Sequence, residues 1–148
     1  MDDQELFALF RKNGYKATTQ RLAIYKFIST REDHPSADQI YQALKNDYPT
    51  ISLGTVYKTL DLLEKLGLLQ KLRFNEDSVR YDPDMELHIN MVCLKCGQIY
   101  DYKAENVKNL WNVVLSDIGI KPEGQRIDLY YKCDDCKKKR RHINPSKL

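Results

Sequence analysis

The chain has 148 residues, 24 Lys+Arg against 21 Asp+Glu for a net charge of +3, with 42% hydrophobic and 30% charged side chains. That balance belongs to a folded soluble protein rather than a disordered one, and the length allows one core or two small ones. No apolar run approaches the roughly 20 residues of a membrane helix, and the start MDDQELFALFRKNG lacks the basic and apolar regions of a signal peptide, so we expect no membrane partner, a cytoplasmic location and reduced cysteines.

In chain order, Leu6, Leu9 and Phe10 line one face of a first short helix, which Gly14 stops. Thr18 or Thr19 caps a second helix running to Thr30, with Leu22, Ile24, Tyr25, Phe27 and Ile28 as a broad buried stripe. His34-Pro35 is a break. Ser36 as N-cap and Gln39 at the third helical position form a capping box, opening a helix over 36–46 that carries Ile40, Tyr41 and Leu44. Asp47-Tyr48-Pro49-Thr50 is a turn. Ser52 caps a fourth helix, LGTVYKTLDLLEKL, which Gly67 ends; Val56, Leu60, Leu63 and Leu66 face inward, and Thr55, Tyr57, Lys58 and Asp61 lie off that stripe. Leu68 to Phe74 reads as a strand, Asn75-Glu76-Asp77-Ser78 as a turn and Val79 to Asp82 as a returning strand.

Helices followed by one hairpin is the order of a winged helix. The pair 36–46 and 52–66 fits a helix-turn-helix, whose second helix would enter a DNA major groove led by Ser52, Leu53, Gly54, Thr55, Tyr57 and Lys58. The rhythm alone also fits many small helical domains. Charge placement adds to it. Split at Pro83, residues 1–83 are neutral and the whole excess lies in 84–148, yet Arg11, Lys12, Lys16, Arg21, Lys26 and Arg31 follow one another with no acid between them. A second basic run, Lys137 to Arg141, reads as a solvated tail.

Four cysteines form two C-x-x-C pairs, Cys93/Cys96 and Cys133/Cys136, separated by 36 residues. Each pair offers two sulfurs on a tight turn, and two such turns close a tetrahedron around a structural Zn2+. The competing reading is a dithiol oxidoreductase, which normally carries one such pair at a strand-to-helix junction; both pairs here follow strand-like runs, at His88–Val92 and Ile127–Lys132. A filled tetrathiolate leaves no open coordination position, so we expect no enzyme and no small organic substrate. The zinc would tie strands 88–92 and 98–102 to strand 127–132 across a helix near 104–118. The result is a small α/β domain, apolar through Ile89, Val92, Ile99, Leu110, Val113, Val114, Ile127 and Leu129.

Of the three histidines, His142 follows the basic run, His34 lies at the helix break, and His88 opens the strand before the first cysteine pair. Asp82 ends the wing strand and Asp101 ends the strand after that pair. Strand periodicity sets Glu86, His88 and Asn90 on one side. Two imidazoles and two carboxylates suit Fe2+, Mn2+ or Zn2+. Spacing alone does not join them, because isolated histidines and surface aspartates are common.

The ordered set of motifs resembles the ferric uptake regulator (Fur) family of metal-dependent transcriptional regulators over nearly the whole chain. The matching pieces are GYKATTQR from Gly14, HPSADQIY from His34, SLGTVYKTL from Ser52, Tyr81-Asp82, His88 with Cys93-x-x-Cys96-Gly97, Asp101, and Cys133-x-x-Cys136. The resemblance implies an α+β fold: a winged helix-turn-helix DNA-binding domain over 1–83, then a dimerisation and metal-binding α/β domain with the four-cysteine zinc site over 84–148. It implies a homodimer that represses by binding a palindromic double-stranded DNA operator when a divalent metal sits between the domains. The sensor ligands fall by position on His34, Asp82, His88, Asn90 and Asp101. Tyr57 would contact bases in the major groove with Thr55 and Lys58 beside it. Lys16 would reach a minor groove or the backbone, and Arg21 and Ser52 would contact phosphates.

The chain also departs from the family. Most members have histidine at the position of Asn90, and an amide oxygen is a weaker ligand for zinc or iron; Glu86 could substitute, or the site could prefer an oxygen-loving ion such as Mn2+. Gly124 and Gln125 replace histidines of an additional metal site, which is then absent. Asp82 and Asp101 together resemble the peroxide-sensing subgroup, in which iron and peroxide oxidise a histidine ligand; His34 and His88 would be the targets here. The alternative is a zinc-stabilised DNA-binding or interaction module without metal sensing.

Overall fold

A computed structural model describes residues 1–75, 78–122 and 124–138. Glu76 and Asp77 of the expected wing turn, and residues 139–148 with His142 and most of the basic run, lie outside the described residues. The chain forms two compact units, Met1–Met85 and a second that starts at Glu86.

The first unit is four helices and a hairpin: α1 (Asp3–Lys12), α2 (Thr19–Ser29), α3 (Ala37–Leu44), α4 (Leu53–Lys65), β1 (Gln70–Asn75) and β2 (Ser78–Asp82). Local capping chemistry sets each helix start. Asp2 and Ser36 make reciprocal capping boxes with Glu5 and Gln39, and the Thr18 and Ser52 hydroxyls accept from the backbone N–H of Arg21 and Thr55. Gly67, at φ +69°, ends α4 in the left-handed region where a side chain would be strained. Leu6, Phe10, Ile24, Ile28, Ile40, Val56, Leu60 and Leu63 are wholly buried in one core. Leu62, Ile51, Leu69 and Tyr81 join them, beyond the expected stripe. The wing strand begins at Gln70 rather than Leu68. Leu69 has turned into the core before the ladder starts, and the first pair is Gln70 with Asp82.

The second unit holds β3 (Ile89–Cys93), β4 (Ile99–Tyr102), α5 (Glu105–Ile118), β5 (Ile127–Tyr131) and a short α6 (Asp134–Lys138) that periodicity did not indicate. Its sheet has the order β4-β3-β5. β3 pairs antiparallel with β4 and parallel with β5, and α5 lies within the crossover that parallel pairing needs. The expected apolar core is only partly there. Val92 and Ile99 are buried, whereas Leu110, Val113 and Leu129 are 66%, 58% and 45% exposed, and no residue of α5 is buried. The helix near 104–118 is where the sequence places it, but apolar residue type alone does not say that a side chain is covered.

Candidate metal centres and nucleic-acid surface

In the second unit the four cysteines converge: their sulfurs all lie within 4.8 Å of one another. The Cys96 and Cys133 sulfurs are 3.8 Å apart. Zinc–sulfur bonds of about 2.3 Å place tetrahedral sulfurs about 3.8 Å from each other, so the donor set fits zinc. Each turn is built by its own backbone. Cys93 N–H donates to the Gln98 carbonyl and Gly97 N–H to the Cys93 carbonyl, with Gly97 at φ +70°. Cys136 is carried on α6, whose Lys137 N–H donates to the Cys133 carbonyl. Leu94 N–H donates to the Tyr131 carbonyl at 2.8 Å, joining the first turn to the end of β5.

The thiols are electrically unequal. The Cys133 backbone N–H, 3.3 Å from the Cys93 sulfur, and that of Cys96 bring the Cys93 thiol down to about 6. The Cys133 side chain and burial push the Cys136 thiol up to about 12. Four crowded sulfurs cannot all become thiolates without a cation, and a dication removes that repulsion. Convergence into one closed group also departs from the dithiol arrangement, in which a single pair works alone.

A second donor set begins in the first unit. His34 sits at φ +48°, a conformation costly for a side-chain-bearing residue and further restricted by the following Pro35. Tyr81 N–H donates to the Pro35 carbonyl at 3.2 Å, fastening the wing strand to this segment. In consequence His34 Nε2 lies 3.4 Å from Asp82 Oδ1, with both side chains wholly buried. Asp82 is held in turn: Gln70 Nε2 donates to Oδ2 at 2.7 Å and the Asp84 N–H to Oδ1 at 2.8 Å.

The second unit offers a matching pair. His88 Nε2 lies 3.5 Å from Asp101 Oδ1. The other ring nitrogen, Nδ1, is 2.8 Å from the Glu86 carbonyl. An Nδ1–H donated there leaves Nε2 as the nitrogen with a lone pair, the usual arrangement behind a metal-ligating histidine. Asn90 is paired with Asp101 across β3 and β4. It is 1% exposed, and its side-chain oxygen has no hydrogen-bond partner. A buried acceptor in that state costs free energy unless something binds it, so these residues fit a hard divalent cation. Glu86 departs from expectation. β3 starts only at Ile89, so strand alternation does not reach it; its carboxylate is exposed and accepts from Lys108 Nζ at 2.9 Å.

The expected nucleic-acid residues fall into groups. Lys16, Arg21, Thr55 and Lys58 line one concavity of about 450 Å³, with Gly14 and Gln20 in its wall. Arg21 Nη1 donates to the Lys16 carbonyl at 2.7 Å, fixing the loop before α2. Tyr57 is 42% exposed and lines a neighbouring depression of about 430 Å³ with Gln39, Val79 and Arg80. Arg80, which the sequence reading passed over, donates to Gln39 Oε1 at 2.8 Å; alternation along the wing strand is the signal that could have found it. Ser52 uses its hydroxyl as the cap of α4, 3.1 Å from Thr55 N and 2.9 Å from Thr55 Oγ1. Among the described residues, no helix is long and apolar enough to cross a membrane.

Comparison with known proteins gives the same direction. The model of the ferric uptake regulator family matches residues 12–130. The peroxide-responsive repressor PerR of Staphylococcus saprophyticus is 33% identical over 129 residues, 87% of each chain. The Campylobacter jejuni peroxide stress regulator superposes with a TM-score of 0.72 at 33% identity, over 92% of this chain and 100% of that one. The ferric uptake regulator of Francisella tularensis, solved with iron, gives a TM-score of 0.68 at 26% identity, over 84% of this chain and 96% of that one.

Proposed function

We propose that this chain, which belongs to the ferric uptake regulator family, is a repressor that binds a palindromic DNA operator as a homodimer when a divalent metal occupies its His/Asp donors. One observation carries the reading. Each unit holds a buried imidazole beside a carboxylate, His34 with Asp82 and His88 with Asp101, at 3.4 and 3.5 Å. Pairs prepared in this way, with Asn90 beside the second, are more than folding alone requires.

A divalent ion held by His34, Asp82, His88, Asn90 and Asp101 would supply positive charge that draws donors of both units to one point. The remaining steps belong to the chain. Asp82 closes the wing strand, so its position reports directly on the winged helix. Tyr57 would read base edges, with Thr55 beside it. Lys58 would lie beside Tyr57 as well, Lys16 would reach a minor groove or the backbone, and Arg21 and Ser52 would meet phosphates, with the cationic side chains among them supplying the salt-dependent part of affinity. A homodimer whose two winged helices are held at the spacing of two half-sites binds far better than one whose spacing varies, and apparent affinity scales with the fraction correctly arranged. The exposed apolar face of α5 and β5 suits the dimer contact. The tetrathiolate zinc would keep the second unit folded.

The test is operator binding by the zinc-loaded protein with and without added Mn2+ or Fe2+, for the natural chain and His88→Ala. Metal should strengthen binding of the natural chain at least about tenfold and leave His88→Ala unaffected. Equal binding in all four cases would instead make the protein a zinc-stabilised DNA-binding module. One carboxylate per imidazole, and the similarity to peroxide-responsive relatives, favour a peroxide-responsive form. Peroxide applied to the Fe2+-loaded protein should then add the mass of one oxygen atom to His34 or His88, and unmodified histidines would exclude that form.

A further inference from the structure

Asn90 stands in the middle of a row that crosses the sheet of the second unit. Its partner on β4 is Asp101 and its partner on β5 is Asp128. Its amide is polar at both ends, and the two ends are treated differently. Nδ2 donates to Asp128 Oδ1 at 3.2 Å and lies 3.4 Å from the Ile127 carbonyl. Oδ1 has no hydrogen-bond partner although the residue is 1% exposed.

Asp128 is itself immobilised. Arg126 grips it with both arms of its guanidinium, Nε on Oδ1 at 2.7 Å and Nη2 on Oδ2 at 2.5 Å. The Tyr130 hydroxyl adds a contact to Oδ2 at 3.2 Å. A carboxylate with both oxygens so engaged is only an acceptor. If the Asn90 amide rotated by half a turn, its oxygen would face a carboxylate oxygen. The carboxylate therefore selects one of two otherwise similar amide orientations, the one that turns the oxygen away from β5.

We propose that Asp128 is the positioning residue that presents the Asn90 side-chain oxygen as a metal donor, and that this pair sets the regulatory site toward Mn2+ or Fe2+ and away from Zn2+. The inference rests on the function proposed above and names its specificity device. The physical reason is ligand chemistry. Zinc binds nitrogen and sulfur donors more tightly than manganese does, so exchanging an imidazole for an amide oxygen removes more from zinc than from manganese. An oxygen donor works only if it faces the ion, and outer partners that orient a ligand are worth about ten- to a hundredfold in metal affinity.

The experiment measures Mn2+ and Zn2+ affinity by competition with a chelator, on full-length protein whose tetrathiolate site is already filled. Asn90→His should raise the ratio of zinc to manganese affinity by about tenfold or more. Asp128→Leu should weaken Mn2+ by about ten- to a hundredfold. The same change in an Asn90→Ala background should cost little more, because no oxygen is left to orient. Asp128→Asn, which keeps one oxygen for the Asn90 amide, should retain most of the affinity. Tetrathiolate zinc content and thermal unfolding, unchanged throughout, separate positioning from misfolding. If Asp128→Leu binds Mn2+ like the natural chain, or loses as much with Asn90 absent as with it present, this inference is wrong while metal sensing stands. If the natural chain takes up only the tetrathiolate zinc, both fall together.

Discussion

The two units are stabilised by different means. The first has a continuous core in which Leu6, Phe10, Ile24, Ile28, Ile40, Val56, Leu60 and Leu63 are wholly buried. Burying each such side chain contributes about 1.5–3 kcal/mol. The second unit has three buried cysteines as its core cluster, with Tyr131 packed against them, and a fourteen-residue helix with no buried residue. A fold of this size with so little apolar burial depends on other help. The sulfurs supply it at one end through a metal. Leu110, Val113, Ile118 and Leu129 remain exposed, apolar surface that the dimer proposed above would cover. The first unit thus closes an apolar core of its own, whereas the second leaves large apolar side chains open.

That contrast can be broken in three ways. The largest effect should come from zinc. Cys136→Ser, or a strong chelator, should abolish ordered structure after Glu86 and leave the helical unit intact, read by limited proteolysis and circular dichroism; a second unit that resists the chelator would mean that its apolar packing suffices. The next largest should be on assembly. Leu110→Asp with Val113→Asp places two charges on the exposed face of α5 and should convert dimer to monomer in sedimentation, with tetrathiolate zinc content unchanged; a dimer that persists would move the contact elsewhere. The smallest should be in the first unit. Leu63→Ala removes a wholly buried side chain from a closed core and should cost about 2–5 kcal/mol in urea unfolding of that unit. Zinc content and dimer state should not respond, and a coupled loss would show that the units do not stabilise themselves separately.

Legibility followed the range of the interaction. Helix starts were readable because a cap is decided within four residues: Ser36 with Gln39 and Ser52 with Thr55 stand where the sequence says. The tetrathiolate was readable because two tight turns each carry their own geometry. Reading failed where the answer depended on what lies across space. Strand alternation put Glu86 with His88 and Asn90, but the strand starts three residues later and the carboxylate pairs with Lys108 instead. Leu110 and Val113 of α5 are apolar residues expected in the domain core, and both are exposed. Arg80 was passed over, and so was the link from Asp128 to Asn90, which spans 38 positions of sequence.

By itself the sequence determined the capped starts of α2, α3 and α4, the order of the elements as far as β5, the four sulfurs that meet, and the residue types of the second donor set. Each of these is written in short-range chemistry, in caps, turns and periodic apolar positions. Only the tertiary structure decided that His34 lies against Asp82, that Nδ1 of His88 lies 2.8 Å from the Glu86 carbonyl, and that the Asn90 oxygen is buried without a hydrogen-bond partner. Those facts depend on strand register and on a left-handed backbone at His34. Register is settled by the packing of the whole unit, and no local run of residues specifies it.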